Sequence, residues 1–142
     1  SGRKVVIFAV PGAFTPTCHS AHVPSFIRTK DDLAARGVDE IICVSVNDPF
    51  VMADWAKDTG AAEAGLTFLG DAGAEFTKAI GMNWTAEPAG FYDRSRRYAL
   101  YAEDGVVKVL NAPIVCRLPL FRRVRIRPEA QSVNAPMTPA LR

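Results

Sequence analysis

The sequence predicts an α/β domain in which helices flank a mixed central β-sheet. Apolar segments alternate with amphipathic ones from residue 4 to residue 81, as in strands joined by helices. Two further strand patterns, Tyr98–Ala102 and Val106–Leu110, enclose Glu103-Asp-Gly105, a sequence typical of a hairpin turn. The chain has 142 residues, of which 49% are hydrophobic, so one sizeable core is expected.

Three apolar segments supply the first strands of this order. Lys4–Val10 is almost continuously apolar, which is typical of a strand that is buried on both faces. Ile41–Val46 has the same character, and Leu66–Leu69 is a shorter example. Together with the helical segments between and after them, they predict a βαβαβα order followed by the hairpin.

A proline interrupts the helical pattern that follows the first strand. The pattern runs from about Thr17 to Arg36, and Gly37 is suited to end it because glycine readily adopts a left-handed backbone. Pro24 has no N–H group to donate within a helix. We therefore expect the helix to be kinked or divided at Pro24.

Two shorter helices are predicted downstream. Asp48 is a good N-terminal cap for the first of them, with Pro49 at its first position. The second is predicted over Ala74–Ile80 and closed by Gly81. The side chains of the first helix that we expect to be buried are Phe50, Val51 and Trp55.

The last thirty residues differ in composition from the rest. Residues 1–112 carry 11 Lys and Arg against 14 Asp and Glu, whereas residues 113–142 carry six Arg against one Glu. Five prolines are spread through the second range. The sequence therefore predicts one domain over residues 1–112 and a poorly ordered Pro/Arg-rich tail over residues 113–142.

Composition also limits the class of protein. Three cysteines form no regular framework, which disfavours a disulfide-stapled secreted fold and favours a reducing compartment. No apolar run is long enough to span a membrane, and no secretory signal opens the chain. We therefore expect a cytoplasmic, plastid or mitochondrial protein that is neither secreted nor membrane-bound.

Cys18 is the strongest candidate for chemistry. It follows the first predicted strand and a Pro-rich turn, and it opens the first predicted helix. The first turn of a helix presents unpaired N–H groups and the positive end of the helix dipole, and both favour a thiolate over a thiol. Because the thiolate is the nucleophilic form, this position predicts a reactive cysteine.

Reduction of a peroxide by a thiolate needs a cation, hydrogen-bond donors and a shielded site. Thr15 precedes Cys18 by three residues, so its hydroxyl is expected beside the sulfur, and Pro11 and Pro16 stiffen the loop. A guanidinium suits the cation because it stays charged and offers several donors. Arg97 is the best candidate among Arg94, Arg96 and Arg97, since it begins a predicted strand.

These residues carry a resemblance to a known family. The pattern Pro11-x-x-x-Thr15-x-x-Cys18 resembles the peroxidatic signature of the peroxiredoxins. The longer run from Val10 to Cys18, followed by His22-Val-Pro24, is similar to the type II (peroxiredoxin-5-like) subfamily. The residues of these motifs resemble those of plant and algal members most. The resemblance covers residues 3–111.

The resemblance implies a fold, an activity and roles for the residues. The fold would be thioredoxin-like, and the activity would be reduction of hydrogen peroxide and organic hydroperoxides through a sulfenic acid on Cys18. Thr15 and Arg97 would activate the peroxide, and Pro11 would shield the site. The resemblance also implies a homodimer, recycling by glutaredoxin with glutathione or by thioredoxin, and no metal, haem or flavin cofactor.

Two departures from the family pattern concern the ends of the chain. It begins at the strand before the cysteine loop, so the usual N-terminal strands are expected to be missing and the fold truncated at its N-terminus. After Asn111 a Pro/Arg-rich tail stands where members continue into a closing helical segment. We expect the tail to be an altered C-terminus, as from an alternative transcript, and its Cys116 to be an incidental thiol.

Cys43 has two interpretations. It lies in the predicted strand Ile41–Val46, 25 residues after Cys18. By resemblance to plant-like type II enzymes, it would be the resolving thiol of an intramolecular disulfide. It would otherwise be a packed core cysteine, since free cysteines are among the most buried residues. If the two sulfurs cannot meet, an external thiol must reduce Cys18.

Other functional interpretations are weaker. His19 and His22 supply too few ligands for zinc beside Cys18, and a hydrogen-bonded histidine near the loop is favoured. Asp71 and Glu75 are interpreted as capping and first-turn charges of a helix. The alternative functions are a catalytically impaired thioredoxin-like binding module and a nucleic-acid or anionic-surface binder that uses the basic tail.

Overall fold

The structure, a computed structural model, describes residues 2–112. Its strands are β1 (Lys4–Val10), β2 (Glu40–Ser45), β3 (Thr67–Gly70), β4 (Asn83–Ala86), β5 (Phe91–Ser95), β6 (Tyr98–Glu103) and β7 (Val106–Asn111). Its α-helices are α1 (Val23–Ala35), α2 (Pro49–Asp58) and α3 (Glu75–Ala79).

Five of these strands form the central sheet, in the order β3-β2-β1-β6-β7. The strands β1, β2 and β3 are parallel, β6 runs antiparallel to β1, and β7 runs antiparallel to β6. The predicted mixed sheet is therefore confirmed, with β1 at its centre. The carboxyl ends of β1, β2 and β3 meet at one edge, which is where the cysteine loop begins.

The strand β1 contributes to a separate core on each face of the sheet. Val6, Phe8 and Val10 pack with side chains from α1 and α2 on one face. Ile7 and Ala9 pack on the other face, against residues of β6 and α3. This alternation explains why β1 is apolar at almost every position, as a strand buried on both faces must be.

The first helical segment is divided, as Pro24 predicts. Cys18–His22 forms a π-turn in which the Val23 N–H donates to the Cys18 carbonyl, five residues back, and α1 follows directly. Pro24 lies in the first turn of α1, where its missing N–H costs nothing. The chain leaves the segment through Gly37, whose φ of +87° suits glycine.

Helix α2 begins as predicted, but one of its expected core contacts is wrong. Asp48 Oδ1 accepts hydrogen bonds from the N–H groups of Phe50 and Val51 at 2.9 and 3.0 Å. Trp55 is fully buried, whereas Phe50 is 84% exposed and Val51 lies between these extremes. At about 100° per residue, Phe50 points away from the face that carries Met52 and Trp55.

The turns after β3 and β6 also match the sequence. The Asp71 carboxylate accepts from the N–H groups of Phe76 and Thr77 at 3.2 and 2.8 Å, which confirms its capping role for α3. Asp104 and Gly105 have φ of +51° and +74°. Both central residues of the hairpin turn are thus left-handed, as in a type I′ turn.

The strands β4 and β5 form a hairpin that the sequence does not predict, and they pair antiparallel outside the central sheet. Its strands are short and rich in polar residues, so they lack the apolar alternation by which strands are recognised. A 3₁₀ turn at Glu87–Ala89 connects them. The hairpin matters because β5 leads into Arg97.

The predicted tail over residues 113–142, with Cys116 and its basic cluster, lies outside the described residues, so its interpretation stays a prediction. Within residues 2–112, no helix combines the length and apolar character that crossing a membrane requires.

Gly70 should be intolerant of any side chain. A Cβ at this position would lie 2.6 Å from the Asn47 carbonyl oxygen and 3.0 Å from the backbone of Asp48 and Pro49, which cannot move aside easily. We expect Gly70→Ala to lower the free energy of unfolding by about 1–3 kcal/mol, measured by urea denaturation.

Gly73→Ala is the matched control. A Cβ there meets only the flexible Glu75 side chain, at 3.6 Å or more. Equal free energies of unfolding for Gly70→Ala and Gly73→Ala would show that the backbone around Gly70 accommodates a side chain.

Candidate functional site

Cys18 lies in the first helical turn after β1. The first intrahelical hydrogen bond runs from the His19 N–H to the Thr15 carbonyl, at 2.9 Å. The N–H of Cys18 itself therefore precedes the hydrogen-bonded part of the helix, at its positive end. Only 1% of Cys18 is exposed, and the residue belongs to the core on the α1 and α2 face of the sheet.

The Arg97 guanidinium reaches the Cys18 sulfur from the start of β6. Its Nη2 donates to Sγ at 3.2 Å, and its Nη1 lies 2.8 Å from Nδ1 of His22. Because a guanidinium can only donate, His22 Nδ1 must be the acceptor, and the imidazole carries its proton on Nε2. One side chain thus contacts both the sulfur and the neutral ring.

His22 is held in an aromatic environment. Its ring meets those of Phe8 and Phe26 edge-on, with centroids 5.3 and 5.5 Å away, and these two phenyl rings stack on each other at 4.0 Å. Burial lowers the pKa of His22 from 6.5 to about 4, and the positive charge of Arg97 acts in the same direction. His22 is therefore neutral at pH 7 and remains available to Arg97.

The other two predicted site residues lie in the loop between β1 and Cys18. Pro11 directly follows the last residue of β1. The Thr15 hydroxyl donates to the Gly12 carbonyl at 2.8 Å, which closes the loop on itself. With its proton directed at Gly12, the Thr15 oxygen keeps lone pairs that can accept a further hydrogen bond.

Asn47, which is not among the site residues predicted from the sequence, holds this loop. Its Oδ1 accepts from the Ala13 N–H at 3.0 Å and from the hydroxyl of the buried Ser45 at 2.7 Å. Asn47 thereby ties the cysteine loop to the end of β2. The sequence did offer a signal for this role. Asn47 is a polar residue just after a buried strand, and that strand lies next to the one that leads to the cysteine.

His19 is also hydrogen-bonded, as expected for a histidine near the loop. Its Nδ1 accepts from Trp55 Nε1 at 3.1 Å, and its Nε2 lies 3.8 Å from a carboxylate oxygen of Asp58. Across residues 2–112, no group of three or more His, Cys, Asp or Glu is arranged to hold a metal ion.

Cys43 lies in the middle of β2, between Phe8 of β1 and Phe68 of β3. The side chain is fully buried, and both Cys18 and Cys43 are free thiols. Burial raises the pKa of the Cys43 thiol well above its usual range, with a further contribution from the nearby Cys18. Cys43 therefore stays protonated and weakly nucleophilic at neutral pH.

The arrangement suits attack by sulfur on a small polar molecule. A cysteine in a first helical turn has a guanidinium donor on its sulfur, and the loop that precedes it carries a hydroxyl whose oxygen can accept a hydrogen bond. Together with the helices that flank it, the mixed sheet defines a protein of thioredoxin-like fold, with a buried cysteine at the edge of the sheet where β1 ends.

Comparisons with known proteins agree with this class. The family model described as Redoxin matches residues 1–114. The chain is 55% identical to peroxiredoxin-2E-2, chloroplastic, of Oryza sativa over 113 residues, which cover 78% of this chain and 50% of that protein. It is 48% identical to peroxiredoxin-2B of Arabidopsis thaliana over 111 residues, 78% of this chain and 68% of the relative.

The chain is also similar to a solved structure. Reduced Prx3 of Vibrio vulnificus in complex with hydrogen peroxide superimposes with a TM-score of 0.75 at 42% identity, covering 93% of this chain and 82% of that one. The chain belongs to the Redoxin family, and within it to the type II peroxiredoxins that include the plant peroxiredoxin-2 proteins. It spans about half the length of the rice relative.

The neutral state of His22 should make the fold sensitive to acid. Between pH 6.5 and about 4, the unfolded chain takes up a proton on His22 that the folded chain does not, so the free energy of unfolding falls as the pH is lowered through this window. Urea denaturation over a pH series measures the effect.

The variant His22→Gln has no such proton to take up, so its unfolding free energy should depend less on pH within that window. Parallel curves for the variant and the wild-type protein would show that His22 titrates normally.

Proposed function

We propose that the protein is a thiol peroxidase that reduces hydrogen peroxide and organic hydroperoxides, with Cys18 as the peroxidatic residue. The observation that carries the proposal is the 3.2 Å contact between Arg97 Nη2 and Cys18 Sγ. A charged N–H donor on sulfur stabilises negative charge there and leaves a cation beside an attacking thiolate. Membership of the peroxiredoxins supports the same chemistry.

The proposed reaction starts with attack of the Cys18 thiolate on one peroxide oxygen. An S–O bond forms while the O–O bond breaks, the sulfur loses two electrons to the peroxide, and the second oxygen leaves as an alkoxide or hydroxide that takes up a proton. Cys18 becomes a sulfenic acid. The step needs only sulfur and peroxide, so the proposal includes no metal, haem or flavin.

Arg97 and Thr15 orient the peroxide in this proposal. The guanidinium has N–H groups to donate to the developing negative charge on the leaving oxygen. The Thr15 oxygen, whose own proton points to Gly12, accepts the hydrogen bond of the peroxide O–H. Pro11, at the end of β1, has no N–H to offer a competing water and shields the sulfur.

An external thiol is the proposed reductant, supplied by glutathione with glutaredoxin or by thioredoxin. The thiol condenses with the sulfenic acid, water is released, and a second thiol frees Cys18 from the mixed disulfide. This route is favoured over resolution by Cys43 because the Cys43 sulfur is fully buried, protonated and fixed between two paired strands.

Homodimer formation and compartment remain predictions. Phe14 and Phe50 are 46% and 84% exposed at the edge of the sheet that carries the cysteine loop, and they are the apolar surface that a second copy would cover. A plastid location is the proposal that the chloroplastic rice relative supports.

Replacing Arg97 tests the proposed function. In Arg97→Ala, the second-order rate constant for oxidation of Cys18 by hydrogen peroxide should fall by about a hundredfold to a thousandfold, because a charge-stabilising donor is lost from the site. The rate is followed by stopped-flow Trp fluorescence, and circular dichroism checks the fold.

Arg96→Ala is the matched control, since Arg96 is exposed and adjacent in the chain. Unchanged rates in Arg97→Ala would contradict the assigned role. Absence of peroxide reduction in the folded wild-type protein would favour the alternative of a catalytically impaired binding module.

The route of resolution is tested by intact mass spectrometry. Protein treated with one equivalent of peroxide, without added thiol, should carry a sulfenic acid on Cys18 that dimedone traps, and Cys43→Ser should give the same adduct with the same yield. A Cys18–Cys43 disulfide in the wild-type protein would show that resolution occurs within the chain.

A further inference from the structure

Arg94 is a second guanidinium beside the cysteine loop. Among the arginines of residues 2–112, only Arg94 and Arg97 are partly buried, and the others are exposed. Arg94 Nη1 lies 3.4 Å from the point that a Cβ of residue 12 would occupy, and Cγ2 of Thr15 lies 3.2 Å from the same point. The Arg94 and Thr15 side chains therefore both lie close to Gly12, whose carbonyl oxygen accepts the hydrogen bond of the Thr15 hydroxyl.

The β4–β5 hairpin holds this side chain in place. The Arg94 Cζ lies 5.4 Å from the ring centroid of Phe91, a cation–π distance, and Phe91 packs edge-on against Trp84. Trp84 is the cross-strand neighbour of Arg94, and its Nε1 donates to the Ser95 carbonyl at 3.0 Å. The guanidinium is thus ordered by aromatic packing before any ligand arrives.

This ordered cation has no anionic partner among residues 2–112. None of their carboxylates forms an ion pair with Arg94. The adjacent Asp93 is already engaged, with one oxygen 2.8 Å from Lys78 Nζ and the other 3.2 Å from Asn83 Nδ2. Arg97 is engaged as well, because it contacts Cys18 and His22.

We propose that Arg94 binds a carboxylate of a molecule that reacts at Cys18 and so determines specificity for anionic reactants. The proposal rests on the proposed peroxidase function. A planar guanidinium pairs with a carboxylate through two parallel hydrogen bonds, which suits recognition of this group. The carboxylate belongs either to an organic hydroperoxide, such as that of a fatty acid, or to a peptide thiol such as glutathione.

Two matched pairs of reactants separate these sources. The first compares the hydroperoxide of linoleic acid with that of its methyl ester, in the rate of Cys18 oxidation. The second compares glutathione with its diethyl ester, in the rate at which the oxidised protein is reduced. In each pair, the preference is the rate with the free acid divided by the rate with the ester. In Arg94→Gln, this ratio should fall by about threefold to tenfold in at least one pair, and that pair identifies the reactant.

Control variants distinguish recognition from a general loss of charge. Arg96→Gln removes an exposed positive charge two residues away and should keep the wild-type preference in both pairs. Arg94→Lys retains the charge without the planar fork and should keep part of the preference. Wild-type preferences in Arg94→Gln in both pairs, or an equal fall in Arg96→Gln, would overturn the proposal.

A binding measurement keeps this test independent of peroxidase activity. Calorimetry with S-methylglutathione, which has the carboxylates but no free thiol, compares the wild-type protein with Arg94→Gln and Arg96→Gln. If the wild-type protein fails to reduce hydrogen peroxide, the proposed function fails. Weaker binding by Arg94→Gln alone would still support carboxylate recognition, and equal affinities together with unchanged rate preferences would overturn it.

Discussion

The contact between the Arg97 guanidinium and the Cys18 sulfur joins two parts of the chain that are 79 residues apart. It constrains the sheet, because β6 must lie beside β1 for the start of β6 to reach the turn that follows β1. It also depends on the place of Cys18 in the first helical turn after β1, which keeps the sulfur close to the end of that strand. The buried side chain of Tyr98, the next residue, fixes the backbone position from which the Arg97 side chain extends.

A neutral histidine completes this interaction. If His22 carried a proton on Nδ1, it would oppose Arg97 rather than accept from it, so its aromatic packing is part of the electrostatics of the site. Asn47 fixes the cysteine loop through its side-chain carbonyl oxygen. The site is therefore held by neutral acceptors, which leave the positive charge of Arg97 available to the sulfur.

Most of the fold could be predicted from the sequence, because most strands and helices are marked by a local sequence pattern. The continuous apolar run of β1, the Asp48 cap and the Asp104-Gly105 turn were all recognisable in the sequence. The structure also brings the two candidates Cys18 and Arg97 into contact, while their roles stay predictions. The β4–β5 hairpin lacked such a signal, since its stability comes from contacts such as Trp84 with Phe91. Phe50 was misassigned because a hydrophobic side chain alone does not define the buried face of a helix.

Cys18 and Cys43 are both buried, but they lie in parts of the described structure that differ in their local constraints, so they can report on different motions. Cys18 lies in a π-turn next to a loop, where opening of a few residues admits an alkylating reagent. Cys43 lies in the middle of a paired strand, so a reagent reaches it only when the sheet itself separates. Alkylation kinetics at the two positions would therefore separate local fluctuations around the loop from cooperative unfolding of the whole domain.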